Sequence, residues 1–437
     1  MAKIERIEAR EVLDSRGNPT VMAEVIVAGN IRAGAMVPSG ASTGKYEAHE
    51  LRDGDPKRYS GKGVTQAVEH VITEIQAALI DKDTANQDKL DRTLISLDGT
   101  PTKERLGANA ILAVSLAAAR AEALAQGLPL YLYLQQLFPK REPTLPVPQM
   151  NLINGGKHAT NNLAIQEFHV VPVGAANFKE ALRMGVEIHA ALKKILIEAG
   201  LAVGLGDEGG YDGGAAPALD ESEEAFAYMT RAIEEAGYVP GVDAFLGIDA
   251  AASEFLVEEG RYHIDGSVLT AKDLGWRYKT WNERHPLISI EDPFGDDAWD
   301  EWRGFTSYNA KGVQIVGDDL YATNPQRIQQ GITHKAANAV LIKPNQVGTL
   351  TETLKAILLA QEAGHRVIIS HRSGETADTF IADLAVAVGA GQIKTGAPAR
   401  SDRTAKYNRL LKIEESIEGA YAKPFRELLS QNQPARV

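Results

Sequence analysis

Lys343 ends a short aliphatic run, Val340-Leu341-Ile342, and Pro344 stops the run directly after it. A lysine delivered in this way can act as a base only if its surroundings disfavour the ammonium form, because an ordinary lysine is neutral in about one molecule in 10³ to 10⁴ at pH 7. Three acids stand at the ends of similar runs: Asp249 after Phe245–Ile248, Glu291 after Leu287–Ile290 and Asp318 after Gln314–Gly317. Any one of them could cap a helix or pair with a lysine. Three in one pocket repel by on the order of several kcal/mol, and a cation relieves that repulsion. Hard carboxylate ligands with room for water suit magnesium better than zinc. Glu167, Glu208 and Lys394 end further runs, and His371-Arg372-Ser373-Gly374 offers a guanidinium fork, a hydroxyl and backbone amides to a phosphate or carboxylate. A cation and Lys394 beside Lys343 would push that amine toward its neutral form. With Glu208 as a carboxylic acid, the set suits abstraction of a proton beside a carboxylate, the metal offsetting the charge that develops.

A repeated unit must position these side chains. Runs of four or five aliphatic residues end at Glu167, Glu208, Asp249, Glu291, Asp318, Lys343, His371 and Lys394, each followed by breakers and a helix-like stretch. From Glu291 onward they recur about every 25 residues, the size of one strand, one helix and two loops. Eight such units favour a closed α/β barrel over a doubly wound open sheet, and in a barrel all eight terminal side chains share one face. Ahead of them, Lys3 to Val37 alternates in three short runs separated by Gly17-Asn18-Pro19 and Gly29-Asn30, an antiparallel meander. Pro38 to Lys45 reads as a loop, and Val64 to Gln136 carries helical spacing, with Ile111–Ala119 a buried helix. Pro139, Pro143, Pro146 and Pro148 form a stiff connector. The expected organisation is an α+β domain over 1–138, a connector over 139–148 and a barrel domain over 149–437.

The 437 residues carry a formal net charge of -12, which argues against a nucleic-acid footprint. The absence of cysteine excludes disulfides, thiolate zinc sites and thiol nucleophiles, and fits a reducing cytosol. No apolar run reaches the roughly 18 residues of a membrane span, and the charged first residues lack the core of an export signal. Two motif matches fail on context. Gly40-Ala41-Ser42-Thr43-Gly44 fits a hydrolase elbow in letters, but Pro38 precedes it and a polar, non-periodic stretch follows. Gly204-Leu205-Gly206-Asp207-Glu208-Gly209 fits a dinucleotide fingerprint, but its two acids would repel a pyrophosphate; the glycines instead fix Glu208 in an exposed turn.

The ordered stretches Asp14–Thr20, Ser39–Gly44, Asn154–Ala159, Gly206–Gly210, Ser289–Phe294, Gly317–Leu320, Leu341–Leu350, Ser370–Thr376 and Gly396–Arg403 resemble the enolase family over nearly the whole chain. The resemblance implies an N-terminal α+β lid domain on a modified (β/α)8 barrel whose first units include antiparallel pairing. It implies reversible dehydration of 2-phosphoglycerate to phosphoenolpyruvate with two magnesium ions, in a cytoplasmic homodimer or ring of dimers. Carried onto matching positions, Lys343 is the base at C2 and Glu208 the acid that protonates the departing hydroxide. Asp249, Glu291 and Asp318 resemble ligands of the first magnesium, and Ser42 a loop residue that helps hold the second. His158, Glu167, His371, Arg372, Ser373 and Lys394 match substrate contacts, with Arg372 and Ser373 on the phosphate. One departure stands out: Tyr211-Asp212-Gly213-Gly214-Ala215 intervenes before Ala216-Pro217, where the family reaches Ala-Pro sooner.

Overall fold

The computed structural model describes residues 2–40, 44–213, 218–417 and 419–432. Ser42 and the last part of the expanded loop, 214–217, lie outside the described residues.

Strands β1 (Ile4–Leu13), β2 (Pro19–Val27) and β3 (Ile31–Met36) pair as the antiparallel meander that their alternation predicts. Asp14 makes the first turn, its Oδ1 accepting from Arg16 N and Asn18 N at 2.8 Å each. The helix Ala108–Ala125 packs across β2 and β3 with almost every side chain buried. Contrary to the expectation that no apolar run is that long, it is long and apolar enough to cross a membrane by length and composition, but 83% of its apolar window is buried inside this protein, as in a core helix. Its many alanines let it lie close to the sheet.

The larger unit is an eight-stranded barrel. Its strands are β4 (Val147–Asn154), β5 (Glu167–Val171), β8 (Phe245–Asp249), β12 (Leu287–Glu291), β13 (Gln314–Gly317), β14 (Ala339–Ile342), β15 (Arg366–Ser370) and β16 (Gly391–Lys394). β16 pairs with both β15 and β4 and so closes the ring. Between β5 and β8 stands a hairpin of β6 (Ala202–Leu205) and β7 (Tyr211–Gly213), and after β8 a small sheet of β9 (Leu256–Glu258), β10 (Arg261–Ile264) and β11 (Ser267–Thr270).

Three expectations about these units need correction. The run ending at Glu208 is no barrel strand: β6 leaves three of its four residues exposed, whereas all eight residues of β4 are buried, and β4 takes the place in the ring. β4 begins at Val147, inside the stretch read as a proline connector, because prolines at its start do not prevent pairing there. Glu167 begins rather than ends its strand. β5 runs antiparallel to β4 and β8, with Glu167 opposite Asp249, so the reversed strand still delivers its acid to the same rim. This is the antiparallel pairing that the family resemblance implies.

The two units meet around the helix that follows Lys343. Leu350–Glu362 is capped by Thr349, whose side chain accepts from Glu352 N. Its remaining free amides are met from the other unit: Thr351 N donates to Asp91 Oδ2 at 2.8 Å and Leu350 N to Ser115 Oγ at 3.1 Å. Arg120 grips Asp378 with two bonds of 2.6 and 2.7 Å across the same junction.

Candidate active site

β8 and β12 end in register, Asp249 beside Glu291, and Asp318 follows directly on β13. Their donor oxygens lie within 4.8 Å of one another, a hard-oxygen cluster that fits a divalent cation. Lys394, last in β16, reaches across: its Nζ donates to Asp249 Oδ2 at 2.9 Å and Glu291 Oε1 at 2.8 Å, and lies 3.2 Å from Glu167 Oε1. Burial works against its charge, but the three acids outweigh burial and hold the ammonium well above its ordinary range. Against the same penalty, Lys394 brings Asp249 down to about 2, while burial and the Asp249 charge push Glu291 well up. Asp292 also lies here, but its oxygens accept from Asp318 N at 3.0 Å and Asp319 N at 2.7 Å, so it anchors the ligand loop.

Lys343 points into the same mouth and pairs with Asp318 Oδ2; Gln346 Nε2 holds the other oxygen at 3.1 Å. Burial would lower this lysine, yet the Asp318 charge prevails and its proton is held more tightly than usual. In this arrangement each lysine has its own carboxylate partners, and the expectation that a cation together with Lys394 leaves Lys343 neutral concerns the cation-loaded site.

Glu208 sits in the β6–β7 turn and is 3% exposed, not exposed as the glycine-rich stretch suggests. A methyl at Gly206 or Gly210 would collide with the buried Asn154 side chain, so both glycines are needed to bring the turn against β4. Glu208 Oε2 accepts from Asn151 Nδ2 at 3.3 Å and lies 3.2 Å from His371 Nε2; His158 Nδ1 is 3.7 Å from Oε1. Burial pushes His158 down and brings His371 to about 3. Glu167 and Glu208 titrate as a pair. Burial and the facing Glu208 charge raise Glu167 well above its ordinary range, while His371 and His158, against burial, keep Glu208 low. In this arrangement the proton of the pair therefore rests toward Glu167.

Arg372 grips Glu47 of the N-terminal unit with bonds of 2.8 and 3.2 Å and touches Asn345 at 3.2 Å. Beneath it, the fully buried Arg403 donates to the carbonyls of Arg372 and Ser373 at 2.6 Å each and of Asp207 at 3.1 Å, tying the anion segment to the Glu208 turn.

Residues 4–134 match the family model described as the enolase N-terminal domain, and residues 142–425 the one described as the enolase C-terminal TIM barrel domain. A protein named enolase from Kineococcus radiotolerans is 54% identical over 420 residues, and one from Acidothermus cellulolyticus 55% identical over 420, each alignment covering 96% of both chains. The chain belongs to the enolase family.

Membership implies an enolase lyase that uses a divalent metal, which the Asp249, Glu291 and Asp318 oxygens fit. The enolase barrel brings Lys343, Glu208, His158, Glu167, His371, Arg372, Ser373, Lys394, Asp249 and Asp318 to one pocket, with Glu291 joined through Lys394. Sequence reasoning passes over Glu47, Arg403 and His169. Arg403 belongs to a quoted family stretch, but nothing local to it shows that it props up His371 and Ser373.

Proposed function

We propose that this enolase catalyses the reversible dehydration of 2-phosphoglycerate to phosphoenolpyruvate, with Lys343 taking the C2 proton and Glu208 protonating the departing hydroxide. The observation that carries the reading is that Lys343 and Glu208 line one pocket with Lys394, Arg372 and the acidic cluster. We choose magnesium, two ions per site, with Asp249, Glu291 and Asp318 for the first and Ser42 contributing to the second. When bound, the cations offset the negative charge that grows on the substrate carboxylate as the C2 proton leaves.

Asp318 is the hinge of the proton chemistry. Were Asp318 to hold a cation, its grip on the Lys343 proton would weaken and Lys343 could act as a base. Arg372 and Ser373 take the phosphate, Arg372 exchanging the Glu47 carboxylate for it, and Lys394 faces the substrate carboxylate. His158, Glu167 and His371 surround the hydroxyl end, where the proton held by Glu167 and Glu208 serves the leaving group. On the habit of its family we assign the chain to a cytoplasmic homodimer or ring of dimers.

The test is formation of phosphoenolpyruvate, followed by its ultraviolet absorbance. Turnover is expected with 2-phosphoglycerate and magnesium and is lost on chelation; no turnover with magnesium present overturns the reading.

A further inference from the structure

We propose that His169 is a positioning residue for Glu167, its Nε2–H fixing which carboxylate oxygen faces the pocket. The proposal rests on the reading of that pocket as the place of 2-phosphoglycerate dehydration.

His169 lies two residues beyond Glu167 on β5, so both side chains project from the same face of the strand. It is 0% exposed, and its Nε2 lies 2.9 Å from Glu167 Oε2. Its Nδ1 is buried with no hydrogen-bond partner among the described residues. The ring has one proton to place and one partner to give it to. A buried N–H without an acceptor is the more costly orphan, so the proton belongs on Nε2 and the bare lone pair on Nδ1. An interior barrel position is ordinarily filled by an apolar side chain. An imidazole with one orphaned nitrogen is a cost that packing alone does not explain, whereas holding Glu167 does explain it.

The consequence is geometric. With Oε2 held by His169, Oε1 is the oxygen left to meet Lys394 at 3.2 Å and His158 at 3.9 Å. Without the donor, Oε2 is left bare and the carboxylate is free to turn away from its pocket partners.

His169→Phe fills the ring's space without a donor, and His169→Gln restores an N–H. We expect the Phe variant to fold with a Tm near that of wild type and to lose about tenfold to a hundredfold in kcat, the scale of a small misplacement, with little change in KM. The Gln variant should recover most of the loss, and the Phe loss should vanish in a Glu167→Leu background, which leaves His169 no oxygen to hold. Wild-type kcat in the Phe variant, a Gln variant no better than Phe, or losses that multiply with Glu167→Leu each overturn the proposal. If the Phe variant does not fold, His169→Met carries the same arms. Turnover by the wild type tests the underlying reading separately.

Discussion

Lys343 and Glu208 are separable by experiment because they act on different bonds. Lys343 meets the C2 proton, so Lys343→Ala should lose exchange of that proton with solvent as well as dehydration. A positioned base is worth about 10² to 10⁴ in rate, and at least that much should go. Glu208→Gln leaves the Lys343–Asp318 pair intact and should keep measurable exchange while dehydration falls by a similar factor. Exchange is read by loss of deuterium from C2-labelled substrate. The opposite pattern, with Glu208→Gln silencing exchange and Lys343→Ala sparing it, means that acid and base are reversed. At this scale the chemistry was legible in the sequence, since a side chain that ends an aliphatic run is a local feature. Its partners were not. Glu47 lies 325 residues from Arg372 and Arg403 lies 196 from Asp207, and no periodicity links positions so far apart. Those partners set the surroundings of Arg372 and of the Glu208 turn, which is why that part of the site is not legible in the sequence.

Secondary elements were legible where their pattern was strong, as in β1 to β3, β12 to β16 and the Ala108–Ala125 helix. β4 and β5 were misplaced for different reasons. A wholly buried strand opening next to prolines looks like a connector, and a strand that runs backwards looks the same in sequence as one that runs forwards. The junction between the units supplies a prediction that sequence could not reach. Asp91 is fully buried and caps the Leu350–Glu362 helix from the other domain, and burial pushes its carboxyl up to about 6 despite the donors Ser115, Thr351 and Gln87. A carboxyl raised on folding is bound more tightly by its proton in the folded state. Its contribution is therefore complete below the unfolded value near 3.8 and is lost as pH rises through about 6. Asp91→Asn, which mimics the protonated form, should match wild type near pH 4 and exceed it at pH 7.5 by on the order of 2 to 3 kcal/mol. Thermal melts of the two proteins across that range check it. A variant less stable than wild type at pH 7.5 means that the ionised cap matters more than its burial.

The molecule as a whole concentrates like charge where it works. Glu167, Asp249, Glu291 and Asp318 crowd the barrel mouth, all nearly fully buried, with Lys394 and Lys343 as their counterions. A fold that keeps such a cluster is less stable than it could be, the usual trade at a functional site. A cation bound only by the folded state stabilises it by mass action, about 2.7 kcal/mol at 100 times its dissociation constant, which is a rise of a few degrees in Tm. Magnesium should raise the Tm of wild type by that much over the chelated protein. Glu291→Gln removes a ligand acid whose carboxyl burial and the Asp249 charge push well above its ordinary range. Lys394 keeps Asp249 and Glu167 as partners in that variant. The variant should therefore melt in chelator at or above the wild-type temperature and gain little from magnesium. Scanning calorimetry of both proteins with and without the ion decides it. A Glu291→Gln protein that melts well below wild type in chelator means that Lys394 needs all three acids, so the cluster serves the fold before it serves the metal.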